Sequence, residues 1–159
     1  MILAILTDVA IESLIKQPKH LPRDYREVLK KMKEEDVHKR SELRVTSVED
    51  DVFFIKVRVN KLNQLDFSVI LAYERRETTG FFLLRRYNGK SHEHTNPLEG
   101  NRFRDFHIHL ATERYQQADF KEECYAAVTN RYSDWWGALN CLIADCGFIP
   151  PSDEPAPMF

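Results

Sequence analysis

Four of the chain's six histidines, His92, His94, His107 and His109, are concentrated between positions 92 and 109. Imidazole titrates near neutrality, so a pair of them can take up and return a proton at physiological pH. The spacing His107-Ile108-His109 is the informative part. On a strand, side chains two apart leave the backbone on the same side. Phe106, Ile108 and Leu110 make up the apolar side, so both imidazoles are expected opposite it, facing solvent, a cleft or a partner. His92 and His94 lie in a polar loop. His20 and His38 flank a predicted helix and read as surface residues. The polar faces of other strands supply Arg44, Lys56, Arg58 and either Arg85 or Arg86, whose cationic groups suit phosphate oxygens.

Three chemistries are open to such a set. Imidazoles can serve as base and acid on a phosphodiester while Arg or Lys holds the phosphate. RNA carries its own nucleophile, the 2′-hydroxyl, so cleavage without a metal needs little more. Paired imidazoles can instead bind a divalent transition metal, or the face can bind an anionic or protein ligand with no reaction. Against these stands a hydrogen-bonded His-x-His pair with no chemistry at all, a frequent outcome for so short a pattern. No Gly-x-Gly-x-x-Gly, Walker loop or His-Glu-x-x-His occurs. Cys124, Cys141 and Cys146 are odd in number, fall in stretches that read as helical, and lack zinc-ligand spacing. Buried or half-buried free thiols are expected. The reading invokes no metal and no cofactor.

These residues must be positioned by elements that the periodicity outlines. Thr7 or Asp8 can cap a helix running to about Gln17, where Pro18 stops it. A second helix follows Pro22, with Tyr25, Val28, Leu29 and Met32 as its apolar stripe. From about residue 40 the period becomes two. Leu43 and Val45, then Phe53 to Val59, then Leu65 to Tyr73 alternate apolar and polar residues, separated by short polar turns. Phe81 to Leu84 is apolar on both faces, as a central strand would be, and Asn88-Gly89 ends it. A loop from Lys90 to Arg102 leads to a fifth strand, about Arg104 to Thr112. The last helix is capped by Ser133 and buries Trp135, Leu139, Leu142, Ile143 and Cys146 before Gly147 closes it. Trp136 falls beside that stripe and is expected at the edge of the core.

The expected architecture is α+β: a mostly antiparallel sheet of about five strands, with two N-terminal helices and a C-terminal helix packed on one face. A single domain over residues 1–149 and a flexible Pro-rich tail over 150–159 account for the whole chain. At 159 residues there is little room for a second core. With 43% hydrophobic and 30% charged residues, collagen-like, low-complexity and disordered classes are excluded. Twenty-three Lys and Arg against 25 Asp and Glu leave −2, which excludes a wholesale electrostatic claim on nucleic acid or membrane but not a local patch. No apolar run suits a membrane-spanning helix, and the opening Met1 to Leu6 is too short for a signal core. A cytoplasmic chain with no membrane partner is expected.

The stretch Leu6-Thr7-Asp8 to Ile11-Glu12-Ser13-Leu14-Ile15, followed by Lys19, is similar to the opening of an uncharacterised family of small bacterial proteins. Members carry a helix of the type Leu-Thr-x-x-Glu-Ala-x-x-Leu-Ile and then a lysine. Leu83-Leu84-Arg85, Asn88-Gly89, His94-Thr95-Asn96-Pro97 and His107-Ile108-His109 resemble that family's centre, and the likeness runs from the first helix to the last. More remotely, the same order resembles toxins of the TumE type. That resemblance implies a bacterial toxin–antitoxin, mobile-element or defence setting, with an antitoxin or host factor as protein partner. The site it implies is Arg85, His94, Asn96, His107 and His109. Joined to the strand reading, it points to a metal-independent RNA phosphodiesterase. His107 or His109 would be base or acid, His94 the counterpart and Arg85 the phosphate clamp, with Asn96, Lys56 and Arg58 on the substrate. The alternative is a non-enzymatic protein- or anion-binding module, such as an inhibitor or antitoxin-type partner.

Overall fold

The computed structural model describes residues 4–152. The first third contains α1 (Asp8–Lys16), β1 (Lys19–His20), α2 (Tyr25–Lys30), β2 (Lys33–Glu35) and β3 (His38–Thr46). The middle contains β4 (Val52–Asn60), β5 (Phe67–Glu74), β6 (Phe81–Asn88), β7 (His94–Thr95), β8 (Arg102–Phe103) and β9 (His107–Leu110). Then come α3 (Glu113–Gln117), β10 (Ala126–Val128), α4 (Trp135–Asp145) and β11 (Phe148–Ile149). One antiparallel sheet orders the strands β10-β9-β6-β5-β4-β3-β2. The fold is thus α+β and mostly antiparallel, with seven strands in that sheet rather than about five. The two additions, β2 and β10, are three-residue edge strands, too short for an alternation to declare itself.

Period-two burial makes the sheet two-faced. Phe53, Ile55 and Val57 on β4, with Val69, Leu71 and Tyr73 on β5, point into a core closed by Leu139, Leu142, Ile143 and Cys146 of α4. Tyr25 and Leu29 of α2 and Ile11 and Ile15 of α1 join the same cluster. The other face presents Phe54, Lys56 and Arg58. Thr7 caps α1 by accepting from the Ala10 amide at 3.1 Å. Asp134, not Ser133, caps α4, accepting from Gly137 at 2.8 Å.

Lys19 closes the helix ends from inside. Its ammonium, wholly buried, donates to the carbonyls of Leu14, Ile15, Gln17 and Cys146 at 2.8–3.0 Å. These carbonyls lie at the C-terminal ends of α1 and α4, where a cation is favoured. Burial lowers the Lys19 pKa to about 8. Gly147 adopts φ 74 just past α4, as a C-terminal glycine should. Cys141 and Cys146 are buried free thiols and Cys124 is half-buried. Cys124 sits in a turn after Lys121, not in a helix. Trp135 and Trp136 are both half-buried and stack with centroids 4.2 Å apart. Of the tail expected beyond residue 150, only the first residues are described, and 153–159 lie outside. Among the described residues no helix is long and apolar enough to cross a membrane.

One irregularity decides which side chains reach the outer face. The β5–β6 register shifts between Leu71 and Ala72, so Leu71 faces Arg85 while Ala72 faces Leu83. Leu84 is the extra residue of a bulge. A slip of one residue reverses the faces of everything beyond it. Phe82, Leu84 and Tyr87 are all buried in the core, and Arg86 and Asn88 are carried to the opposite face.

Candidate functional site

Ladder register lines the functional side chains up in two rows across the outer face. The first runs Arg40, Arg58, Ser68, Asn88, His107. The second runs Glu42, Lys56, Ile70, Arg86, His109. Each row begins among charged groups on β3 and β4 and ends at an imidazole on β9. Neighbouring strands lie about 4.8 Å apart, which puts Lys56 about 14 Å from His109 across three spacings. Within the first row, the Ser68 hydroxyl bridges to Asn88 Oδ1 at 2.8 Å, with an Arg58 nitrogen 3.5 Å from it.

His107 and His109 do share one face, opposite the helices. They are nevertheless only 5% and 6% exposed. The β7–β8 hairpin folds over them, bringing His94 from the loop and Phe103 as cover. The His94 ring lies 5.5 Å from that of His107 and 4.9 Å from that of His109, and the latter two are 4.9 Å apart, centroid to centroid. Phe103 is 5.6 Å from both His94 and His107. A cleft of about 180 Å³ opens onto all three imidazoles, with Arg58, Asn88 and His92 also on its wall.

Each ring is held by one nitrogen. His107 Nδ1 donates to the Asp105 carbonyl and His109 Nδ1 to the Glu123 carbonyl, both at 2.8 Å. A carbonyl can only accept, so both Nδ1 atoms carry protons and both Nε2 atoms keep lone pairs. His94 Nε2 meets Asn96 Oδ1 at 2.8 Å. The Asn96 amide is oriented by a two-way pairing with the Ala126 backbone: its Nδ2 donates to the carbonyl at 2.8 Å and its Oδ1 accepts from the amide at 2.9 Å. Its oxygen therefore faces His94, which donates from Nε2 and keeps Nδ1 free. Three imidazoles thus present three uncommitted nitrogens around one cleft.

Electrostatics hold two of these rings neutral. Burial, with the Arg86 guanidinium and the other two imidazoles adding to it, pushes His109 down to about 3. His107 is lowered chiefly by burial, with His94 and Arg86 contributing, although its bond to Asp105 opposes the shift. Among the described residues, no group of three or more His, Cys, Asp or Glu side chains is placed to hold a metal ion.

The other expected residues divide. Lys56 and Arg58 lie on the outer face in the rows that end at the histidines. Arg85 does not join them. The bulge turns it to the helix side, where it lies 3.4 Å from the Tyr87 hydroxyl and 3.8 Å from Asp145. Arg86 takes the place beside His109. Asn96 is 1% exposed with its amide engaged, so it positions His94 and is not reached by a ligand. Sequence reasoning missed Glu123, 1% exposed. Its carbonyl holds His109 while its carboxylate holds Arg86 in an ion pair. The one signal was the Glu122-Glu123 pair before an apolar stretch.

A trough of about 770 Å³ occupies the outer face beside the cleft, and Arg58 lines both. Lys31, Lys33, Arg40, Lys56, Arg58 and Arg86 line it against Glu35 and Glu42. Arg40 is paired with Glu35 at 2.6 Å and Arg58 with Asp66 at 3.6 Å. A chain of nearly balanced charge therefore concentrates cations on one concave surface that ends at imidazoles. Residues 6–146 match a family described as of unknown function (DUF6978). Searches of the curated proteins and of the solved structures give no match.

Proposed function

We propose, for a chain that belongs to the DUF6978 family, that it cleaves RNA by acid–base chemistry at the His94–His107–His109 cleft. The observation that carries this reading is the meeting of three imidazoles, each with one free nitrogen, at the end of two cation-bearing rows. Neutral His107 takes the 2′-hydroxyl proton on Nε2 as O2′ bonds to phosphorus. The P–O5′ bond breaks, and its electron pair leaves on O5′ with a proton from Nδ1 of a protonated His94. The products are a 2′,3′-cyclic phosphate and a 5′-hydroxyl, and the reaction consumes no co-reactant. Asn96 Oδ1 supports the His94 cation through Nε2. His109, held near pKa 3, stays neutral and packs against both partners. Arg58 and Arg86 hold the phosphate, and Lys56 draws in the strand. An anionic phosphate in the cleft opposes the repulsion that lowers His107, so binding and protonation support each other.

We extend this reading, on the TumE-like resemblance alone, to a toxin or defence setting with an antitoxin or host factor as partner. A second reading, an anion- or protein-binding module without turnover, draws support from the depressed basicity of His107 and His109. Comparing wild type with a His107→Ala, His109→Ala double variant separates the two. The cleavage reading predicts loss of RNA turnover and of growth inhibition. Equal turnover and equal inhibition would refute it.

A further inference from the structure

The rows that lead into the cleft also specify the form of the strand they take. We infer that the outer sheet face is a track for single-stranded nucleic acid, with unpaired bases laid on its apolar positions. The inference rests on the cleavage reading for the fate of a bound RNA, but not for the binding itself.

Three observations carry it. First, the trough is cationic while its floor includes the half-buried Ile70, so phosphates and bases both find partners. Second, an aromatic pair adjoins the trough at Lys56. Phe54 and Phe81 pack edge to face at 5.1 Å, and Phe81 keeps 39% of its surface exposed. The Lys56 ammonium sits 3.9 Å from the Phe81 ring and also lines the trough. A cationic groove with aromatic stacking surfaces is how sequence-tolerant single-strand binders work. Third, the dimensions fit one strand. From Lys56 on β4 to His109 on β9 is three strand spacings, about 14 Å, room for about four stacked nucleotides at 3.4 Å each. The cleft at its end, about 180 Å³, admits the backbone of one strand and is far too small for a duplex.

A strand bound this way runs from the Lys56–Phe81 end toward the imidazoles. Its phosphates follow Lys56, Arg58 and Arg86, and one base takes over the Phe81 face as Lys56 swings to a phosphate. Because this recognition reads charge and ring faces, DNA and RNA strands share it. Only RNA, with its 2′-hydroxyl, goes on to react.

DNA therefore separates binding from cleavage in the unmodified protein. Fluorescence anisotropy with a labelled twelve-nucleotide oligo(dT), and with a twelve-base-pair DNA duplex, measures the track directly. The track predicts that the single strand binds at least tenfold tighter than the duplex. Phe81→Ala is expected to weaken the single strand about tenfold and leave the duplex unchanged. Lys56→Gln is expected to weaken binding and flatten its salt dependence. Circular dichroism of each variant establishes that it folds, and adding unlabelled single strand to the wild type gives a measure free of any variant. Equal affinity for strand and duplex, or no binding of either, would overturn the inference, even if RNA were cleaved. Selective strand binding with no RNA cleavage would uphold the track and refute the cleavage reading alone.

Discussion

His109 offers a measurement of the buried imidazole cluster that does not depend on any substrate. In the folded protein its pKa lies at about 3, against about 6.5 for a free imidazole. Below pH 6.5 the unfolded chain binds a proton at this ring and the folded chain does not. Stability is therefore fully present above that pH and lost as the pH falls toward 3. Each unit of displacement is worth about 1.36 kcal/mol. Between pH 7 and pH 4.5 this ring alone should remove about 2.5 kcal/mol, a large share of a typical domain's 5–15 kcal/mol. His109→Asn retains a nitrogen that can donate to the Glu123 carbonyl and removes the titration. Urea unfolding of both proteins at the two pH values isolates the effect, since carboxylates and His107 contribute to both. The wild type should lose about 2.5 kcal/mol more than the variant over that interval. Equal losses would mean that the ring protonates freely in the folded state, and the neutral cluster would be wrong.

Other substitutions test separate parts of the site. Asn96→Ala removes the group that orients His94 and should lower RNA turnover at least tenfold while the affinity for oligo(dT) stays within twofold. Arg85→Gln should leave turnover within a few-fold of wild type, because its guanidinium faces Tyr87 and Asp145, whereas Arg58→Gln should raise the KM for RNA. Gly89→Ala brings a Cβ to 1.9 Å from the Leu65 carbonyl oxygen, so thermal unfolding should show a loss of about 1–3 kcal/mol or more. Lys19→Met strips a donor from four carbonyls and should cost about 3 kcal/mol or more in urea unfolding, as loss of a buried charged donor does.

Period-two alternation was enough to place His107 and His109 on one side of a strand and the helices on the other. It was enough, too, to mark the long strands, whose turns are short and polar, but not their order in the sheet. It could not show that a second layer covers the imidazoles, because the stretch carrying β7 and β8 is polar and its hairpin has only two residues on each side. The choice between Arg85 and Arg86 turned on one extra residue, Leu84, which strict alternation treats as an ordinary inward position. A bulge leaves no trace in a hydrophobic pattern when the extra residue is itself apolar and follows an apolar run, as Leu84 follows Phe81 to Leu83. Asn96 acts through Ala126 of β10, and Glu123 reaches His109 and Arg86 from the turn before that strand. Contacts of that kind follow from packing and not from local spacing.

The chemistry of the cleaved ends is the most direct measure of the central claim. Wild-type protein incubated with a short unstructured RNA in excess EDTA should release 2′,3′-cyclic phosphate and 5′-hydroxyl ends, visible by phosphorus NMR or mass spectrometry, and the His107→Ala, His109→Ala variant should release none. Intact RNA, or ends bearing 3′-hydroxyl and 5′-phosphate groups, would contradict the proposed roles of the three imidazoles.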